Sequence, residues 1–401
     1  MSNHRLSPLD ASFLYMDTHR APMQGGVFAV LDGPVDFDRY KEDLLRKIRY
    51  IDRFRQVAVF SAFNLFHPSW QFDPRFDIAH HVHRVEFEQP YSDEKLWALA
   101  AEITNRPLDH SRPLWAVYVI YGLSDGSCAV VSVIHHAVTD GVGGVLIAAV
   151  LLDAEPTPEF EPWSPPPTDP LPSTLGLTAR TAWNAVRTLP SRTSSMWREL
   201  KMLIRELRRP EARQRKALRR AYRQTRAVRF PFNAPLSGGY SVAGCAISME
   251  DIARIRRTCG GTVNDVLLSA ITGALERYAR RHGIETEGAS LRILVPTNVR
   301  REDEYGVFGN FVSIAPVAAP LGGITALERL RGLIEYTTAM KACRLAHAYS
   351  VAIRYSQRIT IPPVAKWVYR VFVSLWLQRL NTMIAAAPRY NLVMSNVPGT
   401  P

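Results

Sequence analysis

The feature that most constrains this chain is the heptapeptide His135–Gly141, with the sequence HHAVTDG. The apolar run 128–134 before it has the composition and length of a buried strand, and the apolar stretch 142–152 after it has the spacing of a helix. Two histidines, an aspartate and a glycine are therefore predicted to lie between a strand and a helix. In α/β proteins, loops on such a scaffold present functional side chains to a cleft.

One of the two histidines is a candidate general base. An unperturbed imidazole has a pKa of about 6.5, so much of it is neutral at pH 7 and can accept a proton. Two structural histidines are the alternative interpretation, but the specificity of the heptapeptide favours a catalytic site.

Length and composition bound the kind of protein. With 401 residues, 47% hydrophobic and 21% charged, the chain is globular and long enough for two domains. Its four cysteines are far apart and form no CxxC, which favours free thiols and a reducing compartment. Charges interrupt 364–387, the stretch most similar to a membrane span, and the first 17 residues contain no apolar segment typical of a signal peptide. We expect a cytoplasmic protein.

The positive charge is concentrated in one segment. Residues 180–229 contain sixteen Lys or Arg and three Glu, whereas the whole chain has a net charge of +12. A solvated helical hairpin with a polar face is the simplest interpretation. The functional alternatives are contact with anionic lipid headgroups, with the phosphates of a nucleotide, or with nucleic acid. Interspersed Trp and Met residues favour an interfacial helix, and no base-recognition motif is present, so nucleic acid is not an expected partner.

The chain divides into three parts. Residues 1–155 alternate strand and helix signals and contain the heptapeptide. Residues 156–230 comprise a linker, with eight prolines among the seventeen residues 156–172, and the basic helical segment. Residues 231–401 form the last part, with a predicted strand at 241–248 and an amphipathic helix at 262–281 that Thr262 and Asp265 can cap.

Several short segments, in this order along the chain, carry a resemblance to a known family. They are LSPLD at 6–10, RPLW at 112–115, HHAVTDG at 135–141, ND at 264–265, PTNVR at 296–300, GN at 309–310 and SNVPG at 395–399. Together they resemble the bacterial wax ester synthase/acyl-CoA:diacylglycerol acyltransferase family. The histidine motif alone is shared with other CoA-dependent acyltransferases and with condensation domains.

The resemblance implies an α/β fold with two chloramphenicol-acetyltransferase-like domains, each a mixed β-sheet flanked by helices, and a tunnel between them. It implies transfer of a long-chain acyl group from acyl-CoA, the co-substrate, to diacylglycerol or a fatty alcohol. No other cofactor and no metal are expected. Family members usually continue past the SNVPG segment, so the last strands and helix of the C-terminal domain are expected to be missing.

The same resemblance assigns roles to the loop residues. His136 is the general base, and His135 supports the loop with a modest catalytic effect. Asp140 is structural and ion-paired. Gly141 permits the tight turn into the helix.

Outside the loop, the resemblance places Asn264 and Asp265 opposite the histidines, where they shape the site. Stabilisation of a helix N-terminus is the open alternative for this pair. Pro113, Leu114 and Trp115 are expected in the core and the tunnel wall rather than in the chemistry.

Other sites are weaker. Histidines 80, 81 and 83 invite a metal interpretation, but Asp77 is the only carboxylate close in sequence and no cysteine is near. The chain has no Gly-x-Ser-x-Gly, Walker or Gly-x-Gly-x-x-Gly motif, which argues against a serine hydrolase of that type and against common nucleotide-binding enzymes.

Two further functions remain open beside the leading hypothesis. One is another thioester-dependent condensation, for example on a carrier-protein substrate. The other is a non-catalytic lipid-surface binding protein that acts through 180–229. In the leading hypothesis, too, that segment is expected to contact an anionic membrane or lipid droplet peripherally. The sequence contains no signal for an oligomeric state.

Overall fold

A computed structural model describes the chain at residues 5–91, 93–123, 126–151, 163–166, 168–187, 189–234, 238–239, 241–304, 306–359, 362–373 and 390–397. The helices are α1 (Pro8–Met16), α2 (Phe37–Lys47), α3 (Asp93–Asn105), α4 (Gly141–Leu151), α5 (Thr174–Arg187), α6 (Leu189–Leu207), α7 (Ala212–Gln224), α8 (Met249–Cys259), α9 (Val263–Arg281), α10 (Ala326–Ala342), α11 (Leu345–Ile359) and α12 (Pro362–Val373). The strands are β1 (Gln24–Leu31), β2 (Gln56–Val59), β3 (Ser69–Phe72), β4 (Val82–Tyr91), β5 (Trp115–Leu123), β6 (Cys128–His135), β7 (Arg226–Ala227), β8 (Ala289–Asn298), β9 (Val312–Leu321) and β10 (Leu392–Val393).

The first sheet has the strand order β1-β6-β5-β4. Strand β6 is antiparallel to both neighbours, and β4 and β5 are parallel. Alternate residues of β6 point to opposite faces: Val131 and Val133 pack against α3, whereas Val130 belongs to a core on the other face. A strand buried on both faces explains the continuous apolar run that precedes the histidines.

The second sheet is built around β8. Strand β9 pairs with β8 in antiparallel register over ten residues, and β7 and β10 add short parallel contacts. Leu268 of α9 and Leu333 of α10 are fully buried in the core of this sheet. The predicted α/β class, with mixed sheets flanked by helices, is therefore confirmed.

Local signals explain why α9 begins where it does. Thr262 Oγ1 accepts a hydrogen bond from the Asp265 N–H, and Asp265 Oδ2 accepts one from the Thr262 N–H. This reciprocal capping box satisfies two backbone donors that a helix N-terminus otherwise leaves free.

One predicted strand is wrong. Residues 241–248 are exposed throughout and pair with no described segment. Their alternating sequence fits a strand, but a strand without a partner leaves its backbone groups to water and buries no side chain. Cys245 is consequently exposed, and all four cysteines are free.

The described part of the Pro-rich linker, 163–166 and 168–173, has no regular secondary structure. Residues 152–162, where the first domain boundary is predicted, lie outside the described residues, so that boundary stays a prediction.

The basic segment folds into α5, α6 and α7. A buried ion pair joins the last two, because Arg215 Nη1 lies 2.7 Å from Glu206 Oε1. In the described residues, no helix is long and apolar enough to cross a bilayer.

Candidate active site

The histidine loop joins the end of β6 to the start of α4, as the sequence predicts. Backbone hydrogen bonds hold both histidines against neighbouring segments. The His135 N–H donates to the Leu114 carbonyl over 3.0 Å, and the His136 N–H donates to the Met23 carbonyl over 2.8 Å. The position of each imidazole is thus set by the strands on either side of β6.

His136 presents an accessible imidazole. Its side chain is exposed, stacks on the Phe13 ring with centroids 5.3 Å apart, and lies beside Gly25, where an added β-carbon would be 3.9 Å from Nε2. Surrounding protein lowers the pKa of His136, first by desolvation and then by repulsion from a charged His135. The imidazole is therefore neutral at pH 7, which is the state that a general base requires.

His135 is buried and held in one orientation. Its Nδ1 accepts a hydrogen bond of 2.9 Å from the Ala137 N–H, so in the neutral ring the proton is on Nε2. That Nε2 lies 3.8 Å from Asp17 Oδ2. Burial lowers the pKa of His135, and the nearby Asp17 only partly opposes this effect.

Asp17 connects the N-terminal segment to this loop. It accepts hydrogen bonds from the Met23 N–H over 2.6 Å and from His110 Nε2 over 2.8 Å. Although burial opposes ionisation, the hydrogen bonds from His110 and Met23 and the electrostatic attraction of His135 lower the pKa of Asp17. Since the Met23 carbonyl holds the His136 backbone, Asp17 acts on both histidines. No sequence signal indicated this residue.

The donor atoms of Asp17, His110 and His135 lie within 4.8 Å of one another, a spacing that a metal ion can use. The hydrogen bonds argue against this use for His135. Its Nδ1 is an acceptor, so the Nε2 that faces the other two groups carries the proton, whereas a metal ligand needs a free lone pair there. Within the set, a hydrogen bond already joins His110 to the Asp17 carboxylate.

Histidines 80, 81 and 83 line a small cavity with Pro113 and Trp115 rather than forming a ligand set. His81 is stacked between Phe76 and Trp115, and its Nδ1 lies 2.9 Å from the Trp115 carbonyl oxygen. This nitrogen therefore takes part in a buried hydrogen bond rather than in metal binding.

Asp140 makes the most extensive ion pair of the site. Both carboxylate oxygens lie 2.8 Å from Arg300 Nη1. The Gly143 N–H donates to Oδ1 and the Phe311 N–H donates to Oδ2. Both partners of the ion pair are buried. Asp140 therefore fixes the start of α4 to the segment between β8 and β9, some 160 residues further along the chain.

Asn310 is a second link from that segment to the loop. Its Nδ2 donates to the His136 carbonyl over 2.6 Å and to Asp10 Oδ1 over 2.7 Å, and its N–H also donates to Asp10. Burial raises the pKa of Asp10, against the effect of these hydrogen bonds. Both residues lie in segments that carry the family resemblance, which was the available signal for their importance.

The reason predicted for Gly141 is wrong. Its φ angle is not among the positive values found in the described glycines, so the turn itself does not require glycine. Instead, an added β-carbon would lie 2.8 Å from Cγ2 of Val397, in the SNVPG segment. Glycine is needed because the C-terminal segment packs directly against the helix start.

The structure places Asp265 in a helix cap. Its Oδ2 accepts from the Thr262 hydroxyl and N–H, and its Oδ1 accepts from the Thr337 hydroxyl over 2.7 Å. These bonds join α9 to α10, and none reaches the histidine loop. The neighbouring Asn264 has a buried Oδ1 without a hydrogen-bond partner in the described part of the chain.

Pro113, Leu114 and Trp115 lie beneath the loop. Trp115 is buried, stacks on Phe54 with centroids 4.6 Å apart, and donates from Nε1 to the Phe54 carbonyl. Leu114 provides the carbonyl that holds His135. The segment supports the strand that carries the histidines.

Comparisons with known proteins agree with this arrangement. A family model described as the wax ester synthase/diacylglycerol acyltransferase catalytic domain matches residues 6–267. A putative diacylglycerol O-acyltransferase of Mycobacterium tuberculosis is 29% identical over 98% of this chain and 76% of its own length.

Two solved structures show the same fold at low identity. The wax ester synthase/diacylglycerol acyltransferase from Marinobacter aquaeolei VT8 has a TM-score of 0.59 and 22% identity, over 98% of this chain and 82% of that one. The first condensation domain of the CDA synthetase has a TM-score of 0.51 and 12% identity, over 86% and 75%. The family match covers more than half of the chain, and the chain therefore belongs to the wax ester synthase/diacylglycerol acyltransferase family.

Proposed function

We propose that this acyltransferase moves a long-chain acyl group from acyl-CoA to the hydroxyl of diacylglycerol or of a fatty alcohol, with His136 as general base. The observation that carries this proposal is the neutral, accessible His136 imidazole on a loop that two distant segments hold in place.

In the proposed reaction, the acceptor hydroxyl attacks the thioester carbonyl while His136 takes its proton. The new C–O bond forms, the C–S bond breaks, and the proton passes to the departing CoA thiolate. No acyl-enzyme is required, because binding both substrates together supplies the orientation that accelerates the reaction.

The other residues act through position. His135 is a positioning residue, because its buried ring supports the backbone that carries His136. Asp140 and Arg300 fix the loop to the β8–β9 segment. In this proposal Asn264 and Asp265 contribute through the start of α9, and Asp140 does not relay protons.

The test is acyl transfer from labelled palmitoyl-CoA, with dioleoylglycerol and hexadecanol offered separately. His136→Ala should lower kcat by about 10²- to 10⁴-fold, the usual loss for a general base. His282→Ala, at the exposed end of α9, is the matched control and should retain activity. An active His136→Ala variant would refute the proposed base, and turnover only with an acyl-carrier protein would show the condensation function instead.

Peripheral contact with a lipid surface, for a cytoplasmic protein, is the second part of the proposal. Along α5 and α6, large apolar side chains are exposed among the basic residues: Trp183 is 64% exposed, Trp197 59% and Val186 66%. Exposed tryptophans beside arginines fit an interfacial helix on an anionic membrane or lipid droplet.

Flotation with vesicles of phosphatidylcholine and phosphatidylserine tests this contact. Binding should decrease as salt increases, because each basic residue near the surface contributes about 1 kcal/mol of electrostatic attraction. The Trp183→Ser/Trp197→Ser variant should bind more weakly at every salt concentration. Binding that is insensitive to both changes would exclude 180–229 as the contact.

A further inference from the structure

A second, larger cavity lies on one face of the C-terminal sheet, and no residue of the histidine loop lines it. Its volume is about 740 Å³, which is within the range of small-molecule binding sites. Helix α7 forms one wall, strands β8 and β9 form the floor, and residues of α10 and α11 close the opposite side.

The charges that line this cavity are all positive. Arg219 and Arg223 lie one turn apart on α7 and are exposed, and Arg292 extends from β8. No aspartate or glutamate is among the described lining residues. Arg292 is held in place by a hydrogen bond of 2.9 Å to the Thr225 carbonyl, whereas Arg219 lies over the Tyr349 ring, 4.6 Å from its centroid. The cavity therefore favours an anionic ligand, and phosphate is an anion that guanidinium groups bind through bidentate, charge-assisted hydrogen bonds.

The remaining lining is aromatic and aliphatic. Tyr222, Tyr336, Tyr349 and Tyr390 contribute rings, and the floor is apolar at Leu294, Ile314 and Pro316. Burial raises the pKa of Tyr222 and Tyr336, so both phenols stay neutral and add no negative charge. Aromatic rings beside arginines bind nucleobases by stacking, as in proteins that bind single-stranded nucleic acid.

The position of the cavity relative to the catalytic loop adds the second argument. The Phe311 N–H donates to Asp140. Ile314 lies three residues after Phe311, which corresponds to about 10 Å along a strand. Arg292 pairs with Ala318 across the sheet, seven residues from Phe311, or about 24 Å. Along the sheet, with increasing distance from the histidine loop, the cavity lining is therefore apolar first and positively charged last.

We propose that this cavity receives the nucleotide end of the acyl-CoA donor, with its phosphates at Arg219 and Arg223 and its adenine among the tyrosines. This inference rests on the proposed function. Of the substrates in that reaction, only acyl-CoA carries charge, and its uncharged thioester arm separates the reacting carbonyl from the phosphates. The apolar floor between the loop and the arginines matches that order. Part of the basic segment 180–229 then binds the substrate. This corresponds to one alternative from the sequence, in which the segment contacts the phosphates of a nucleotide.

The test compares two double variants of α7 with the same loss of charge. Arg219→Ala/Arg223→Ala removes the cavity arginines, and Arg213→Ala/Arg220→Ala removes two exposed arginines that do not line it. Isothermal titration with free CoA measures binding without turnover. The cavity variant should raise the Kd about ten- to a hundredfold, the effect of losing charge-assisted hydrogen bonds, and the control should bind like the parent. Equal binding by both variants, or a parent that binds no CoA, would overturn the inference.

Kinetics separate this inference from the proposed function. With palmitoyl-CoA, the cavity variant should show a raised KM and a nearly unchanged kcat. With S-palmitoyl-pantetheine, which lacks the nucleotide, the cavity variant and the parent should behave alike. If the parent transfers no acyl group but the cavity variant still loses CoA binding, the proposed acyl transfer is wrong and the proposed CoA site is supported. If 1-oleoyl-lysophosphatidate binds the cavity arginines and CoA does not, the site binds a lipid phosphate and the inference is wrong.

Discussion

The loop 135–141 and the start of α9 are both marked by a conspicuous aspartate next to a helix N-terminus, yet they are built differently. Asp140 bonds to Arg300 and Phe311, about 160 residues away in the chain. Asp265 bonds mainly to Thr262, three residues away, and to one hydroxyl of α10. The first aspartate joins distant segments around the candidate base, and the second mainly completes a local cap. A sequence motif alone does not distinguish these two roles.

Breaking the Asp140 ion pair should have the largest effect on stability. Asp140→Ala leaves the buried Arg300 guanidinium without its carboxylate, so the free energy of unfolding should fall by about 3–5 kcal/mol. Urea denaturation measures this loss. Adding Arg300→Met removes the unpaired charge and should restore part of the stability. A double variant less stable than Asp140→Ala would contradict the ion-pair explanation.

A methyl group at the start of α4 should have the next largest effect. Gly141→Ala forces the new β-carbon against Val397, and overpacking of this kind costs about 1–3 kcal/mol. Gly144→Ala is the control in the same helix, because no atom lies within 4 Å of its added β-carbon. It should be neutral or stabilising. If both alanine variants unfold at the same urea concentration, the contact with Val397 is not the reason for glycine.

Removal of the α9 cap should cost less. Asp265→Ala is expected to lower the free energy of unfolding by about 0.5–2 kcal/mol, the range for helix caps. Glu328→Ala removes the equivalent acidic residue of the α10 capping box and should have a similar effect. Comparing kcat at a temperature where both variants are folded sharpens the contrast with the loop. A loss of kcat in Asp265→Ala alone would give this residue a role in the site beyond its cap.

The pH dependence should show the smallest change. Because desolvation by the surrounding protein lowers the pKa of His136, the base stays neutral at pH values where a free imidazole is protonated. The acid limb of kcat/KM should therefore have its midpoint below 6.5. The pKa values of His135 and His136 are lower in the folded protein than in the unfolded chain. Their contribution to the free energy of unfolding is therefore present above pH 6.5 and is lost as the pH falls from 6.5 through the folded-state pKa values. A midpoint at or above 6.5 would show that His136 is not desolvated.

The sequence by itself determined the elements whose causes are local. The apolar run before His135 and the three- and four-residue spacing of α9 each describe a face that must be buried, so β6, α4 and α9 form where predicted. The capping pair Thr262 and Asp265 was likewise evident, because its partners are three residues apart. Where the partner is distant, the same patterns gave a wrong prediction: residues 241–248 alternate like a strand but pair with no described strand.

Only the tertiary structure decided how the candidate site is assembled. Asp17, Asn310 and Arg300 reach the histidine loop from segments far apart in the chain, and the requirement for glycine at 141 comes from Val397. Similarly, the basic segment carries arginines along its whole length, but the fold directs Arg219 and Arg223 toward a cavity. Hydrogen bonds and close packing act over a few ångströms of space, whatever the separation in sequence, so these contacts exist only once the chain has folded.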